Sequence, residues 1–319
     1  MNQTANRYQS GVSLKPFTTL KSGGEAELLG IARTSDELAE MMIERQKADQ
    51  PVIVLGWGSN VLPSDAGVPG LVLLNMANRI EIGEKGEVVA ETGCGFQELF
   101  LKTAQKNLAG LEFAVGIPGT LGGALVSNAG AYRSCVSEFL TSLEIVAEGE
   151  RRWVDPSFMG FSYRDSILRR PEPPSIAILK VKMKLPKGKP KKIYDEAREY
   201  QRQRISKQPP PASAGSFFKN VNDPILAEGL DNLPRQLKAA GVVPAGYLIE
   251  KSGLAGIRLG GAMFARRHAN FILNVGCASA GDIRRLAQLA KRTVFERFNV
   301  RLDEEVLYIG DWSGFDLAQ

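Results

Sequence analysis

The residues best suited to chemistry in this 319-residue chain lie in a glycine-rich run. It reads Gly116-Ile117-Pro118-Gly119-Thr120-Leu121-Gly122-Gly123-Ala124 and continues through Asn128 and Ala129 to Tyr132. Glycines this close together let successive backbone N–H groups face a ligand, and such a run forms an anion nest suited to a diphosphate. Two familiar phosphate loops do not account for it. A Walker A loop requires GxxxxGK[ST], and the run has no lysine; a Rossmann fingerprint requires GxGxxG at a spacing absent here. A second turn, Gly56-Trp57-Gly58-Ser59-Asn60, follows the apolar stretch Val52–Leu55 and adds hydroxyl and amide donors. Alone it could simply end a strand, but two such turns in one chain point to a phosphate-bearing cofactor.

Three further segments carry polar chemistry. Tyr163-Arg164-Asp165-Ser166 offers a planar guanidinium that can grip a carboxylate through two oxygens, although an exposed Arg–Asp pair is the plainer account. In Ser213-Ala-Gly-Ser-Phe-Phe-Lys-Asn220, small residues leave room around Ser216, while Lys219 and Asn220 can bind anionic oxygens. A serine-hydrolase triad would need His268, the only histidine, as its base, which disfavours that chemistry and leaves proton donation to a carbanion open to Ser216. His268-Ala-Asn-Phe-Ile-Leu-Asn274 reads first as a packed structural histidine beside an apolar run.

The elements that position these segments follow from pattern. Thr34 and Glu37 form a capping box ahead of Leu38, Met41 and Met42 at helical spacing. Val52–Leu55, Leu71–Leu74 and Val88–Ala90 read as strands, and Phe96, Leu99, Phe100, Thr103 and Ala104 as a helix that stops near Gly110. Composition changes after Tyr200, and Lys207-Gln-Pro-Pro-Pro-Ala212 is the expected boundary. Beyond it, 225–256 reads as helical and loop-rich. Ala280–Phe298 reads as an amphipathic helix presenting Ile283, Leu286, Ala287, Ala290, Val294 and Phe298, and Glu305–Ile309 as a strand. Alternation of strands and helices argues for an α/β or α+β domain.

A formal charge of +5 favours anionic ligands. The basic run Leu185–Lys192 is broken by Pro186, Gly188 and Pro190 and reads as a solvated turn, and no basic stretch is interleaved with stacking aromatics, so no nucleic-acid partner is expected. Cys94, Cys135 and Cys277 are scattered and no CxxC pair occurs, which leaves neither a disulfide framework nor a zinc cluster. The polar Met1–Gly11 lacks a signal core, and the uncharged stretch Phe113–Tyr132 contains five glycines, so neither a leader nor membrane insertion is expected. The chain reads as cytoplasmic, with no obligate protein partner.

Taken in order, GWGSN at 56–60, GIPGTLGGALVSNAGAY at 116–132, YRDS at 163–166, GSFFKN at 215–220, HANFILN at 268–274 and LDEEV at 302–306 resemble the UDP-N-acetylenolpyruvoylglucosamine reductase (MurB) family. The likeness runs from about Leu14 to Asp311 and is nearer the type without the additional tyrosine loop. It implies an α+β fold: an FAD-binding PCMH/vanillyl-alcohol-oxidase-like domain and a smaller α/β substrate-binding domain. The implied boundaries are 1–202 (core about 23–187), 203–300, and 301–319 as a C-terminal strand returning to the flavin.

The implied reaction uses NADPH and non-covalent FAD to reduce UDP-N-acetylglucosamine enolpyruvate to UDP-N-acetylmuramate, a peptidoglycan precursor. Carried onto this sequence, the FAD contacts are Gly56, Gly58, Ser59, Asn60, Gly116, Ile117, Pro118, Gly119, Thr120, Gly122, Gly123, Ala124, Asn128 and Ala129. The catalytic set is Arg164, Ser216 and Glu305; Tyr132, Arg204, Lys207, Lys219 and Asn220 are substrate contacts. Trp57, Arg133-Ser134-Cys135 and Met263 depart from the family pattern, the last where a glutamine is expected. A flavin oxidase of the same fold is the competing enzyme reading. Histidyl attachment upstream of His268 is excluded, while a cysteinyl link through Cys94 or Cys135 stays open.

Overall fold

The computed structural model describes residues 7–207 and 209–315, with Lys207 described by its backbone alone. It divides into two compact units that interleave along the sequence. The first takes in Ala26–Gly58 and Val68–Ser206 with the start of the chain; the second takes in Ser13–Glu25, Ser59–Gly67 and everything after Ser206. Two short stretches of the expected 1–202 portion therefore group with the later residues, because their partners lie there.

In the first unit, helix α1 (Ser35–Lys47) begins where the pattern predicts. Thr34 accepts from the Glu37 N–H at 3.1 Å, but the Glu37 carboxylate reaches back to the Arg33 N–H (2.6 Å), one residue before the cap. The helix buries Leu38, Met41 and Met42 in one core with Leu71 and Leu73 as a first group and Val146, Ala177 and Leu179 as a second. The first group belongs to a four-stranded sheet ordered Tyr8–Ser13, Glu25–Ala32, Val68–Asn75, Val52–Leu55, in which Val72 lies in parallel register between Leu29 and Ile53. The second belongs to a five-stranded antiparallel sheet ordered Glu150–Val154, Leu140–Ala147, Ile176–Lys184, Glu87–Glu91, Ile80–Ile82.

Helix α2 (Phe96–Ala104) packs Phe96, Leu99 and Phe100 into a core with Phe113, Leu143, Ile145 and Val181. Each fully buried phenylalanine or leucine there is worth about 1.5–3 kcal/mol. The helix ends at Ala104, well before Gly110. A short helix, α3 (Leu121–Val126), starts inside the glycine-rich run. Helix α4 (Pro190–Lys207) was not legible: it buries Ile193 and Ala197 and is polar on most of its surface. Its first turn contains Lys191 and Lys192, so the basic run is a turn only as far as Lys189.

The second unit contains α5 (Pro224–Gly229), α6 (Arg235–Ala239), α7 (Ala245–Lys251) and α8 (Ala280–Phe298). A Ser279–Asp282 capping box starts α8, Asn299 in the left-handed region (φ 54°) ends it, and Ile283, Leu286, Ala287, Ala290 and Val294 form its buried face. An antiparallel sheet runs in the order Ala212–Ser213, Ile272–Asn274, Ala262–Phe264, Arg258–Leu259. The C-terminal strand starts at Leu307 and pairs in parallel with Val61–Pro63, Leu307 opposite Val61. This pairing is why 59–67 belongs to the second unit. Of the expected boundary segment, Gln208 and the Lys207 side chain lie outside the described residues. Among the described residues, no helix is long and apolar enough to cross a membrane.

Candidate active site

The two glycine turns touch. A Cβ on Gly56 would overlap the Thr120 hydroxyl, so the end of strand Val52–Leu55 can reach the start of α3 only as glycine. Thr120 caps α3 by accepting from the Gly123 N–H at 3.2 Å. Gly119 adopts φ +132°, a conformation closed to side-chain-bearing residues. Gly122 is a packing residue, donating to the Thr92 carbonyl at 2.7 Å, whereas a Cβ on Gly123 would meet only the Thr120 hydroxyl, 3.6 Å away.

The backbone donors of this run are not all consumed. Gly116 donates to Gln97 Oε1 (3.0 Å), Ile117 to the Ala114 carbonyl (3.0 Å), Ala124 to Thr120 and Ala129 to Ala124. The N–H groups of Gly119 and Thr120 make no hydrogen bond among the described residues, although both residues are buried. A buried orphan donor costs about 1–3 kcal/mol. An anionic oxygen at this cradle recovers that cost, so these residues fit a diphosphate such as that of FAD. Asn128 differs from its neighbours: its amide donates to the Ser162 carbonyl (3.0 Å) and accepts from the Ser137 N–H (3.3 Å), which ties the run to the fold.

The turn carrying Arg164 is stitched to the end of the same run. Ser166 donates to the Val126 carbonyl (2.7 Å), Asn128 to Ser162, and Arg164 Nη2 to the Gly130 carbonyl. Arg164 itself has φ +54°, and its guanidinium lies 5.2 Å from the Tyr163 ring. Tyr132 stacks on Tyr200 of α4 at 3.6 Å and 5°, and its hydroxyl donates to the Tyr200 carbonyl (3.3 Å). Arg204, one turn further along α4, lies 5.9 Å from the Tyr132 ring, donates to the Phe113 carbonyl (3.3 Å) and packs its stem against Gly116. Burial, reinforced by the charge of Arg164, holds the Arg204 guanidinium below the ordinary arginine value. Two cations thus share a field at the end of the glycine-rich run, which favours an anion there.

In the second unit the segment that follows Ser216 pairs with residues 303–305, just before the C-terminal strand. Glu305 donates its N–H to the Phe217 carbonyl at 2.7 Å, and Lys219 donates to Asp303 at 2.8 Å. Asn60 donates its side-chain amide to the Glu305 carbonyl at 2.9 Å. Asn270, fully buried, holds the opposite side: its carbonyl accepts from Phe217 (2.7 Å), its Oδ1 accepts from the Phe218 N–H and its Nδ2 donates to the Phe218 carbonyl (both 2.9 Å). Sequence reasoning assigned no role to Asn270 or Tyr200, because a buried amide or a stacked ring has no local signature. Lys219 is half-buried, while the Asn220 side chain accepts from the Ala245 N–H (3.3 Å) at the start of α7. His268 packs edge-on against Phe271 at 4.8 Å, as a structural histidine does. Met263 pairs with Leu273 in an apolar group containing Phe271, so this position brings no polar head where a glutamine was expected.

The cysteines bear on how a flavin would be held. Cys94 is fully buried, and burial pushes its thiol up to about 12, which removes the thiolate a cysteinyl link needs. Cys135 is partly buried among Ser137 and Glu138.

The sequence pattern described as "UDP-N-acetylenolpyruvoylglucosamine reductase, C-terminal domain" matches residues 205–309, and that described as "FAD binding domain" matches 26–154. A UDP-N-acetylenolpyruvoylglucosamine reductase from Synechococcus sp. is 38% identical over 97% of this chain and 93% of its own. One from Nostoc punctiforme is 34% identical over 96% and 87%. The crystal structure of the Thermus caldophilus enzyme aligns with a TM-score of 0.74 at 32% identity, covering 95% of this chain and 99% of that one.

Proposed function

This chain belongs to the UDP-N-acetylenolpyruvoylglucosamine reductase family, and from that premise we propose how its own residues carry out the reaction. It is an FAD-dependent reductase of peptidoglycan precursor synthesis that uses NADPH and reduces UDP-N-acetylglucosamine enolpyruvate to UDP-N-acetylmuramate. FAD, when bound, supplies the group that takes a hydride from NADPH and returns it to the enolpyruvyl double bond.

The N–H groups of Gly119 and Thr120, with the turn at Gly56–Gly58, hold the FAD diphosphate. Ile117, Pro118, Gly122, Gly123 and Ala124 shape the same cradle, and Asn128 and Ala129 close its far end. Arg164 grips the enolpyruvyl carboxylate and stabilises the negative charge that hydride addition pushes onto it. Ser216 gives a proton to the adjacent carbon. Glu305 completes the surroundings of the carboxylate as a donor or positioning group. Lys219, Arg204 and Lys207 supply positive charge for the substrate diphosphate, with Tyr132 and Asn220 bordering it.

The observation that carries the assignment of Ser216 and Glu305 is the bond from the Glu305 N–H to the Phe217 carbonyl, which ties the residue after Ser216 to Glu305. The cytoplasm is its place of action, a location that suits three cysteines outside any disulfide and a reaction dependent on NADPH.

The test is direct. Purified protein should release flavin on denaturation and consume NADPH in step with the sugar nucleotide. Steady NADPH oxidation by oxygen alone, unaffected by that substrate, would favour the oxidase reading instead.

A further inference from the structure

We propose that Tyr308, Trp312 and Phe315 form an aromatic box around Arg284 of α8 that positions the short strand Leu307–Ile309 and, through it, the adjoining Glu305. Arg284 and Trp312 are thereby positioning residues for substrate reduction. The proposal rests on the reading of Glu305 given above.

The geometry is unusual for an arginine. Its guanidinium carbon lies 4.4 Å from the Phe315 ring centre, 4.5 Å from Trp312 and 5.0 Å from Tyr308. Arg284 Nε and Nη1 are buried and have no hydrogen-bond partner. Burying such donors without acceptors is costly. Three ring faces around a partly desolvated cation offset that cost, since cation–π attraction grows as water is excluded. The rings also brace one another edge to face, Tyr308 on Trp312 at 5.3 Å and Trp312 on Phe315 at 5.7 Å.

What the box holds is a short strand. Leu307–Ile309 has three residues and one parallel neighbour, Val61–Pro63. A two-stranded ladder of that length does not keep its register unaided. Here it is gripped from both sides. Trp312 Nε1 donates to the Ile309 carbonyl (3.1 Å), closing the segment back onto the strand. The Tyr308 hydroxyl donates to Glu304 Oε1 (2.9 Å), and Glu304 Oε2 lies 3.6 Å from Lys291, a second anchor on α8. On the other side Asn60 takes the Leu307 N–H (3.0 Å) and donates to the Glu305 carbonyl. Glu305 therefore sits between fixed points, and removing the box frees one of them.

The test pairs two readouts on FAD-loaded Trp312→Ala and Phe315→Ala, with Trp312→Phe as the conservative rescue. Phe315→Ala removes only one wall and keeps the question answerable if Trp312→Ala does not fold. Amide hydrogen exchange at Glu305 and Leu307 should accelerate on the order of tenfold, the scale of a few lost cation–π contacts. Reoxidation of NADPH-reduced enzyme by UDP-N-acetylglucosamine enolpyruvate should slow by a similar factor, while reduction by NADPH is unchanged and Trp312→Phe recovers most of the rate. Unchanged exchange in both alanine variants would overturn the box. Faster exchange with normal reoxidation would overturn its positioning role. Glu305→Gln, measured alongside, separates the two levels: normal reoxidation in that variant would remove the role of Glu305, and with it the reason for positioning it, whatever the exchange shows.

Discussion

Glu305 donates its backbone N–H to the Phe217 carbonyl at 2.7 Å, across 88 residues of sequence. The bond is one rung of a short antiparallel contact centred on Phe218 and Glu304. It brings the segment that follows Ser216, the proposed proton donor, alongside the segment of Glu305. Neither segment is a regular element over these residues, so the arrangement depends on clamps, chiefly Asn270 and Asn60.

Asn270→Ala removes two hydrogen bonds and leaves the buried Phe218 N–H and carbonyl without partners, while the Phe217 N–H keeps the Asn270 backbone carbonyl. The expected loss is about 2–3 kcal/mol, from one orphaned N–H and one orphaned carbonyl. Urea unfolding monitored by tryptophan fluorescence measures it, and a loss below about 0.5 kcal/mol would mean that water replaces the amide.

The proposed FAD cradle makes its own demand. Gly56→Ala drives a methyl into the Thr120 hydroxyl, and Gly119→Ala must hold φ +132°. Each should weaken FAD binding at least about tenfold, since roughly 1–3 kcal/mol of strain is introduced where the backbone approaches the diphosphate. Titrating apoprotein with FAD and following flavin fluorescence gives the constants. Retention of parent affinity by both would place the diphosphate elsewhere.

Much of this framework could be read in advance. Thr34 and the apolar faces of α1, α2 and α8 announce themselves by spacing, and the glycine runs by composition, whereas the Ser279 cap shows only in the structure. Helix α4 did not, because a helix that buries only Ile193 and Ala197 leaves little periodicity to detect, and Pro190 reads as a breaker although it suits a first turn. Leu140–Ala147 and Ile176–Lys184 were missed as well, although they form the centre of the antiparallel sheet. Asn270 and Tyr200 act through partners far away in sequence, which no local pattern encodes.

Asp282 provides a pH-dependent test of the second unit. Burial tends to raise its pKa, but the Ser279 and Gly261 N–H groups and Arg285 outweigh it, leaving the carboxyl below its ordinary value of 3.8. A carboxylate with a lowered folded pKa stabilises above its unfolded value, and that contribution disappears as pH falls through the folded one. Asp282→Asn should therefore cost about 1 kcal/mol at pH 7, and the difference from the parent should shrink below pH 3.8. Denaturant melts at both pH values check it; a gap that widens on acidification would contradict the assignment.

Cys94 should behave as an inert thiol. With its pKa pushed up to about 12 by burial, it should resist a thiol-specific reagent at pH 8 in the native protein and react only after unfolding. Exposed Cys277 should react at once. Flavin that stays attached to the denatured chain through Cys94 would contradict the expected reaction of Cys94 after unfolding.

The central claim is that Ser216 delivers a proton during substrate reduction and takes no part in flavin reduction. Stopped-flow absorbance of Ser216→Ala separates the two steps. The expected result is parent-like bleaching by NADPH and reoxidation by UDP-N-acetylglucosamine enolpyruvate slowed by about a hundredfold or more. Reoxidation at the parent rate would contradict the account.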